Sequence, residues 1–435
     1  MSRANRSPVL LAPLVAVAML SLARFPCFAY PEPTEPLAAP DQAAASPDGK
    51  IKGLEQKAAD LKAHGDAAGA LAAYQQAAAL DPKSAVYQDQ IGFLLAVLGR
   101  RDEAVAHFKH AVELDSKLAL AHYHLGAIYF LLQQTPAATA ELEAAVSLEP
   151  ANAAYQSKLG QGLTAAGQFP EAIGHLKIAT ELEPRDRAAW TNLGIAMEKT
   201  GDRLAAVDAY QHLVELDPNN VDAHNSLGMA LVNTRRADEG IAEFQKALTL
   251  DPANNTAEFN IGYAHLQKAE LDQAIAAFRQ VIARDPNMAA VHYNLGVALK
   301  NKDDIDGAKV EFARALAIDP KLAEAHYMTG LACWQDGDFP CAVAEMRAAI
   351  NQRPEYGTAY FMLGTVLKQQ GQLGPAEEAL RTAIRLTPED PGPYNTLAAL
   401  LRQKGQIEES KKLFAEGLRV KQKKESELGT MLTRQ

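Results

Sequence analysis

Aromatic residues make up only 6% of the 435-residue chain, and cysteine and tryptophan number 3 and 2. So few cysteines exclude a small scaffold stapled by several disulfides. With few rings available, a core must close on aliphatic and small side chains, and apolar residues do supply 48% of the sequence. Excess positive charge is also missing. The 43 Lys and Arg are outnumbered by 53 Asp and Glu, giving a formal charge of −10, the opposite of the basic footprint of a nucleic-acid binder. Gly (28) and Pro (23) stay near ordinary usage, which excludes a collagen-like or linker-type chain. Length alone suggests about three domains.

The N-terminus reads as a secretory signal over residues 1–29. Arg3 and Arg6 form a basic start, and Val9 to Ala23 is a run of 15 apolar or small residues broken by Pro13. Such a run is short for a bilayer span but suits a signal core. Cleavage is expected after Ala29, where Cys27 and Ala29 would stand at −3 and −1; Ala23 is a second candidate site, and retention as an uncleaved anchor is the competing reading. The residues before Cys27 do not match a lipoprotein signal, so no lipid anchor is expected. Cleavage would remove Arg3, Arg6 and Arg24 and no acidic residue, leaving the chain more acidic and without an integral membrane segment. Residues 30–50, rich in Pro, Ala and Asp, have little to bury and are expected to be a disordered spacer. Together these features predict an exported protein of the periplasm or cell envelope.

A 34-residue period governs the rest of the chain. Prolines stand at 82, 150, 184, 218, 252, 286, 320, 354 and 388, each 34 residues apart except for one double step with Ser116 at its midpoint. Placing each at position 32 of a unit gives eleven repeats over residues 51–424, with a tail at 425–435. A period of this length means a solenoid whose units bury their apolar faces on one another. Positions 4, 7, 8 and 11, then 17, 20, 24 and 27, carry apolar or small residues at helical spacing. Position 15 is Gly in seven units, closing helix A, and Pro136, Pro170 and Pro340 at position 18 suit the first turn of helix B. Position 8 is Gly in nine units although a mid-helix Gly costs about 1 kcal/mol against Ala. That predicts a close helix approach, with small position 20 opposite and bulky position 24 filling the remaining space.

The pattern resembles the tetratricopeptide repeat (TPR) family. One unit carries Leu295-Gly296, then Ala308, Phe312, Ala315 and Asp319-Pro320, and the motif recurs in phase along residues 51–424. Departures are local: Lys57 and Thr329 at position 7, Ser116 for Pro, and His at several copies of position 4. The resemblance implies an all-α fold, an α-solenoid in the form of a right-handed superhelix of helical hairpins. Its concave face, lined mainly by A helices, would bind peptides or partner proteins.

On helix A the stripe 4, 7, 8, 11 leaves positions 2, 5, 6, 9, 12 and 13 facing away. Position 5 reads Phe259, Tyr293, Tyr327 and Phe361 in successive units, and position 6 includes Asn192, Asn260 and Asn294. Tyr263 and Trp334 add apolar area. Rings beside carboxamides suit an extended peptide, because each Asn both donates to and accepts from a main chain. These nine residues form the expected peptide-binding face; scaffold habit is the competing explanation. A carboxylate clamp of the kind seen in some relatives is not expected, since positions 2, 5 and 6 supply only Lys52 and Lys158, three units apart.

Other chemistry is thin. His122, His224, His292 and His326 share position 4 on the packing stripe, with neighbouring copies one repeat apart, too far for one metal with bonds near 2.1 Å. No phosphate-cradling glycine loop, GxSxG or HExxH occurs, and the repeats leave no room for a catalytic domain. No enzyme activity, cofactor or metal is expected. Cys333 and Cys341 lie eight residues apart across one tight turn and form a candidate disulfide in an oxidising compartment. Arg419, Lys421, Lys423 and Lys424 read as the polar cap of the last repeat. The resulting expectation is an exported, non-enzymatic scaffold or assembly factor that binds a protein or peptide. The alternative is a structural or self-assembling envelope protein, for example one associated with polysaccharide export. The oligomeric state is open.

Overall fold

The computed structural model describes residues 47–432. The expected signal peptide and most of the expected spacer lie outside the described residues. Two compact units meet in sequence at Arg236 and Ala237. The first contains α1 (Pro47–Ala63), α2 (Ala67–Leu80), α3 (Ala85–Val97), α4 (Arg101–Leu114), α5 (Ala119–Leu131), α6 (Thr135–Leu148), α7 (Ala153–Ala165), α8 (Phe169–Leu182), α9 (Arg187–Thr200), α10 (Arg203–Leu216) and α11 (Val221–Asn233). The second contains α12 (Ala237–Leu250), α13 (Asn255–Gln267), α14 (Leu271–Arg284), α15 (Ala289–Asn301), α16 (Ile305–Ile318), α17 (Ala323–Gln335), α18 (Phe339–Gln352), α19 (Gly357–Gln369), α20 (Leu373–Leu386), α21 (Pro391–Gln403) and α22 (Ile407–Leu432). All regular structure among the described residues is helical, and within each unit successive helices stack as hairpins. Each unit is an all-α solenoid segment.

Two boundaries differ from the sequence expectation. Helix α1 begins at Pro47, inside the stretch assigned to the spacer, because proline starts a helix without losing a needed N–H. Helix α22 runs 26 residues to Leu432, so most of the expected tail continues the last helix. Lys421 and Lys423 lie near Glu425 and Glu427 one turn on, at 3.8 and 3.9 Å, the spacing that supports an exposed helix.

The hairpin turn requires one left-handed residue. Gly201, just after α9, has φ +85° and its N–H bonds back to Glu198 and Met197. Gln133, Arg235, Ala269 and Asp303 hold the same register with φ of +58° to +65°. Each of these side chains costs roughly 1–2 kcal/mol in that conformation, which the packing of the flanking helices must offset. Helix starts are capped locally, as where the Asn254 side chain accepts from the Ala257 N–H at the head of α13.

Position 8 explains the recurring glycine, with one correction. A Cβ on Gly296 would stand 2.5 Å from Phe312 Cε1, and one on Gly262 would stand 2.7 Å from Phe278 Cε1. The close neighbour is thus the bulky position-24 side chain, with position 20 approaching through its backbone, as Ala376 O does at Gly364. Phe278, Phe312, Met346 and Leu380 are fully buried there.

Position 4 has a second role. Its polar tip reaches the carbonyl six residues earlier, in the turn just after the preceding helix B: Gln156 donates to Pro150 (2.7 Å), Trp190 to Pro184 (3.0 Å), His292 to Pro286 (3.0 Å) and Tyr394 to Pro388 (3.2 Å). These bonds tie helix A to the turn that precedes it, and each contributes about 1 kcal/mol. His292 also places Nδ1 2.6 Å from Glu311 on the following helix. The position-4 histidines are therefore packing residues with a hydrogen-bonding duty.

Candidate functional site

The candidate face is built from the A helices. In the second unit α13, α15, α17 and α19 present positions 5 and 6 at the same register, one repeat apart.

The rings expected to stand open on this face are packed instead. Phe259 and Tyr293 are fully buried, with ring centroids 5.7 and 6.0 Å from Phe278 and Phe312, the position-24 residues of their own hairpins. Tyr327 is buried against Tyr356 at 5.2 Å. Tyr263 is buried too, its hydroxyl accepting from Gln267 Nε2 at 2.9 Å. Burial pushes the Tyr293 and Tyr263 phenols up from their usual range. The helical wheel misplaces Phe259 and Tyr293 because position 5 adjoins the buried stripe, and a long planar side chain there reaches the ring at position 24. Tyr327 packs instead on Tyr356 at the end of its repeat, and Tyr263 stands at position 9. Phe361 and Trp334 remain partly exposed, and the Trp334 indole donates to Gln369 Oε1 in the next repeat at 2.7 Å.

The carboxamides behave differently. Asn260 and Asn294 are buried, and the Oδ1 atom of each has no hydrogen-bond partner. The Asn294 amide donates to Ala290 O at 2.8 Å, back along its own helix, so its carbonyl is left over. An unpaired buried acceptor costs about 1–3 kcal/mol. Asn192 belongs to the first unit, is partly exposed, and donates to Ala188 O at 2.8 Å.

Cys333, in the last turn of α17, and Cys341, in the first turn of α18, are joined in a disulfide with Cα atoms 5.8 Å apart. The bond ties one hairpin's helices together beside Trp334, Phe339 and Val366.

The first unit holds two arrangements that the repeat pattern does not announce. The Asp89 carboxylate, buried in α3, accepts from His124 Nδ1 of α5 at 2.8 Å. Lys158, at position 6 of α7, donates to Gln161 Oε1 at 2.8 Å and lies 5.8 Å from the Phe130 ring centroid. The usable signal is the presence of charged residues at positions 5 and 6, where other units carry rings or amides.

No group of three or more metal-ligating side chains forms among the described residues, and none of their helices is long and apolar enough to cross a membrane.

Models of the tetratricopeptide repeat match residues 157–217, 198–255, 265–331 and 327–391, and a TPR repeat model matches 92–133. No curated protein matches the chain. Among solved structures, a tetratricopeptide repeat protein from Parabacteroides merdae is 15% identical with a TM-score of 0.51, covering 57% of this chain and 98% of its own. YrrB, described as a TPR protein with an unusual peptide-binding site, is 24% identical with a TM-score of 0.40, covering 42% and 95%. Yeast Tom70 is 17% identical with a TM-score of 0.46, covering 86% and 93%. With repeat models matching more than half of its length and hairpins stacked through both compact units, this chain belongs to the tetratricopeptide repeat family.

Proposed function

We propose that this chain is a non-enzymatic scaffold that holds an extended segment of a partner protein against the A-helix face of its second unit. The tetratricopeptide fold is a scaffold for protein–protein interaction. One observation supports the finer reading: Asn260 and Asn294 each keep an unpartnered Oδ1 at the same register of successive A helices. Main-chain N–H groups of an extended peptide are the natural complement of such a row, and they carry no sequence information. Both oxygens are buried, so the partner reaches them only when neighbouring repeats shift slightly. A stack held by nearest-neighbour contacts permits this.

The test uses a fluorescent pool of random-sequence dodecapeptides and the same pool with N-methylated backbones. The unmodified pool should bind and the methylated pool should not. Asn260→Ala with Asn294→Ala should weaken binding at least tenfold while leaving helical circular dichroism and thermal stability intact, because two unpaired acceptors have been removed. Undiminished binding by the double variant would sink the proposal.

Export belongs to the same reading. The basic start, the apolar run Val9 to Ala23 and the small residues before Tyr30 support it. Placing the scaffold in the periplasm or cell envelope is the corresponding assignment. N-terminal sequencing of the cellular protein should begin at Tyr30; a retained Met1 would overturn cleavage.

A further inference from the structure

Lys158 is an anomaly of charge. Its ammonium is partly buried in a protein of net charge −10, yet no carboxylate of the described residues lies within salt-bridge distance of it. Its one hydrogen-bond partner is the neutral Gln161 Oε1, at 2.8 Å, and the Phe130 ring lies to one side at 5.8 Å. An ammonium has three donors, so two lack a protein acceptor. A charge withdrawn from water is costly unless it is paired. Burial accordingly pushes the Lys158 ammonium down from its usual range, with Asp186 pulling part of the way back.

None of the groups around it forms an ion pair with it. The same register of the preceding A helix holds His124, which is committed to Asp89. The same register of the following A helix holds Asn192, whose amide is turned to Ala188 O. Asp186 is the carboxylate whose charge reaches Lys158, but it stands beyond salt-bridge distance, and its Oδ1 accepts the Ala188 and Ala189 N–H groups at 2.9 and 3.1 Å. Tyr123 and Tyr155, stacked at 4.9 Å, add aromatic surface to the same pair of A helices without adding charge. A partly buried cation with one neutral acceptor and a ring beside it can take a carboxylate: charge-assisted hydrogen bonds are the strong ones, and the ring adds to the attraction.

We propose that Lys158 receives an acidic side chain, Asp or Glu, of an extended polypeptide held on the A helices of the first unit, so that this unit selects its partner by charge. The proposal rests on the reading that the A-helix face binds extended polypeptide. The acidic surface of the scaffold does not forbid such a partner, because exposed charges beyond about 8–10 Å are screened at physiological salt.

The test compares dodecapeptide pools whose central residue is fixed as Glu, Gln or phosphoserine, with amidated C-termini, and a Gln pool with a free C-terminal carboxylate. Binding is followed by fluorescence anisotropy at low and physiological salt. The wild type should take the Glu pool about tenfold more tightly than the Gln pool, with the advantage shrinking as salt rises. Lys158→Met, which keeps the apolar stem, should erase that preference while binding the Gln pool as before. Lys158→Arg should keep part of it. Equal binding of Glu and Gln pools by the wild type, or a preference that survives in Lys158→Met, overturns the proposal. A preference for phosphoserine or for the free C-terminus over internal Glu overturns its assignment to an acidic side chain. Failure to bind any pool would instead count against the peptide-binding reading itself.

Discussion

Gly296→Ala and Gly174→Ala are the same chemical change in two mid-helix settings, and they should shift stability in opposite directions. Both gain roughly 1 kcal/mol of intrinsic helix preference. At Gly174, in α8, a Cβ would meet nothing within 4 Å, so the gain should be realised. At Gly296 the Cβ would stand 2.5 and 2.7 Å from Phe312 Cε1 and Cδ1, far inside the ~3.5–4.0 Å optimum for carbon contacts. The Phe312 ring has no room to retreat, being fully buried with Tyr293 packed 6.0 Å away. Overpacking of this kind costs about 1–3 kcal/mol. Because the propensity gain is common to both variants, the difference between them isolates the steric cost, also about 1–3 kcal/mol.

A stack of repeats need not unfold in one step, so a single melting temperature is a poor measure. Native-state hydrogen exchange of α15 and α16, against α7 and α8, resolves the two sites. Protection should fall around Gly296→Ala and rise around Gly174→Ala. In a Phe312→Ala background, Gly296→Ala should become stabilising, since the clashing ring is gone. If both substitutions raise protection equally in the wild-type background, the close approach is not what holds glycine at position 8.

Two further outcomes concern single sites. Reducing the Cys333–Cys341 bond, or replacing both residues by Ala, opens a loop of eight residues' separation; the chain-entropy model gives a loss of about 2.5 kcal/mol. Exchange should quicken in α17 and α18 and not in α3 and α4, and unchanged protection in α17 would refute that magnitude. Glu198 is partly buried, and desolvation raises its carboxyl above the ordinary glutamate range despite bonds from Tyr210 and Asn233. The folded chain therefore holds this proton more readily than the unfolded one. Stability should rise as pH falls from above the raised value towards the ordinary one, and be lost on the return. Glu198→Gln should flatten that slope in thermal unfolding scans and raise stability at neutral pH; a slope left intact would exclude Glu198 as its source.

How much of the structure is readable from residues alone differs by register position. The glycines at position 15 and the prolines at 18 and 32 mark helix ends through backbone chemistry that no tertiary context overrides, and the helices begin and end where those marks place them. Position 8 is legible as a close approach but not in its partner. A wheel shows which face a residue shares, not how far a Phe at position 24 reaches across it. The same blindness misplaces Phe259, Tyr293, Tyr327 and Tyr263, all of which are buried. The position-4 histidines do sit on the packing face that their spacing indicates. Their bonds to carbonyls six residues back escape a reading of the sequence because a main-chain acceptor leaves no mark in it.

Recognition and stability separate along the same register. At positions 8 and 24 the side chains close on internal partners, and at position 4 Gln156, Trp190, His292 and Tyr394 each cap a carbonyl. Satisfaction fails on other registers at Asp89 Oδ2, Asn255 Oδ1 and the Tyr356 hydroxyl, and it fails at position 6. Asn260 and Asn294 keep unpaired oxygens there, and Lys158 keeps an ammonium with one neutral acceptor. Position 6 varies among His124, Lys158, Asn192 and Asn260, as position 4 varies among Gln156, Trp190, His292 and Tyr394, but at position 6 Asn260 and Asn294 leave an acceptor without a partner. Buried polar groups are ordinarily paired, and the unpaired oxygens of Asn260 and Asn294 are what motivate the proposal of a complement from outside the chain. In the proposed reading the second unit offers acceptors to main-chain N–H groups at Asn260 and Asn294, and the first unit offers a cation to an acidic side chain at Lys158.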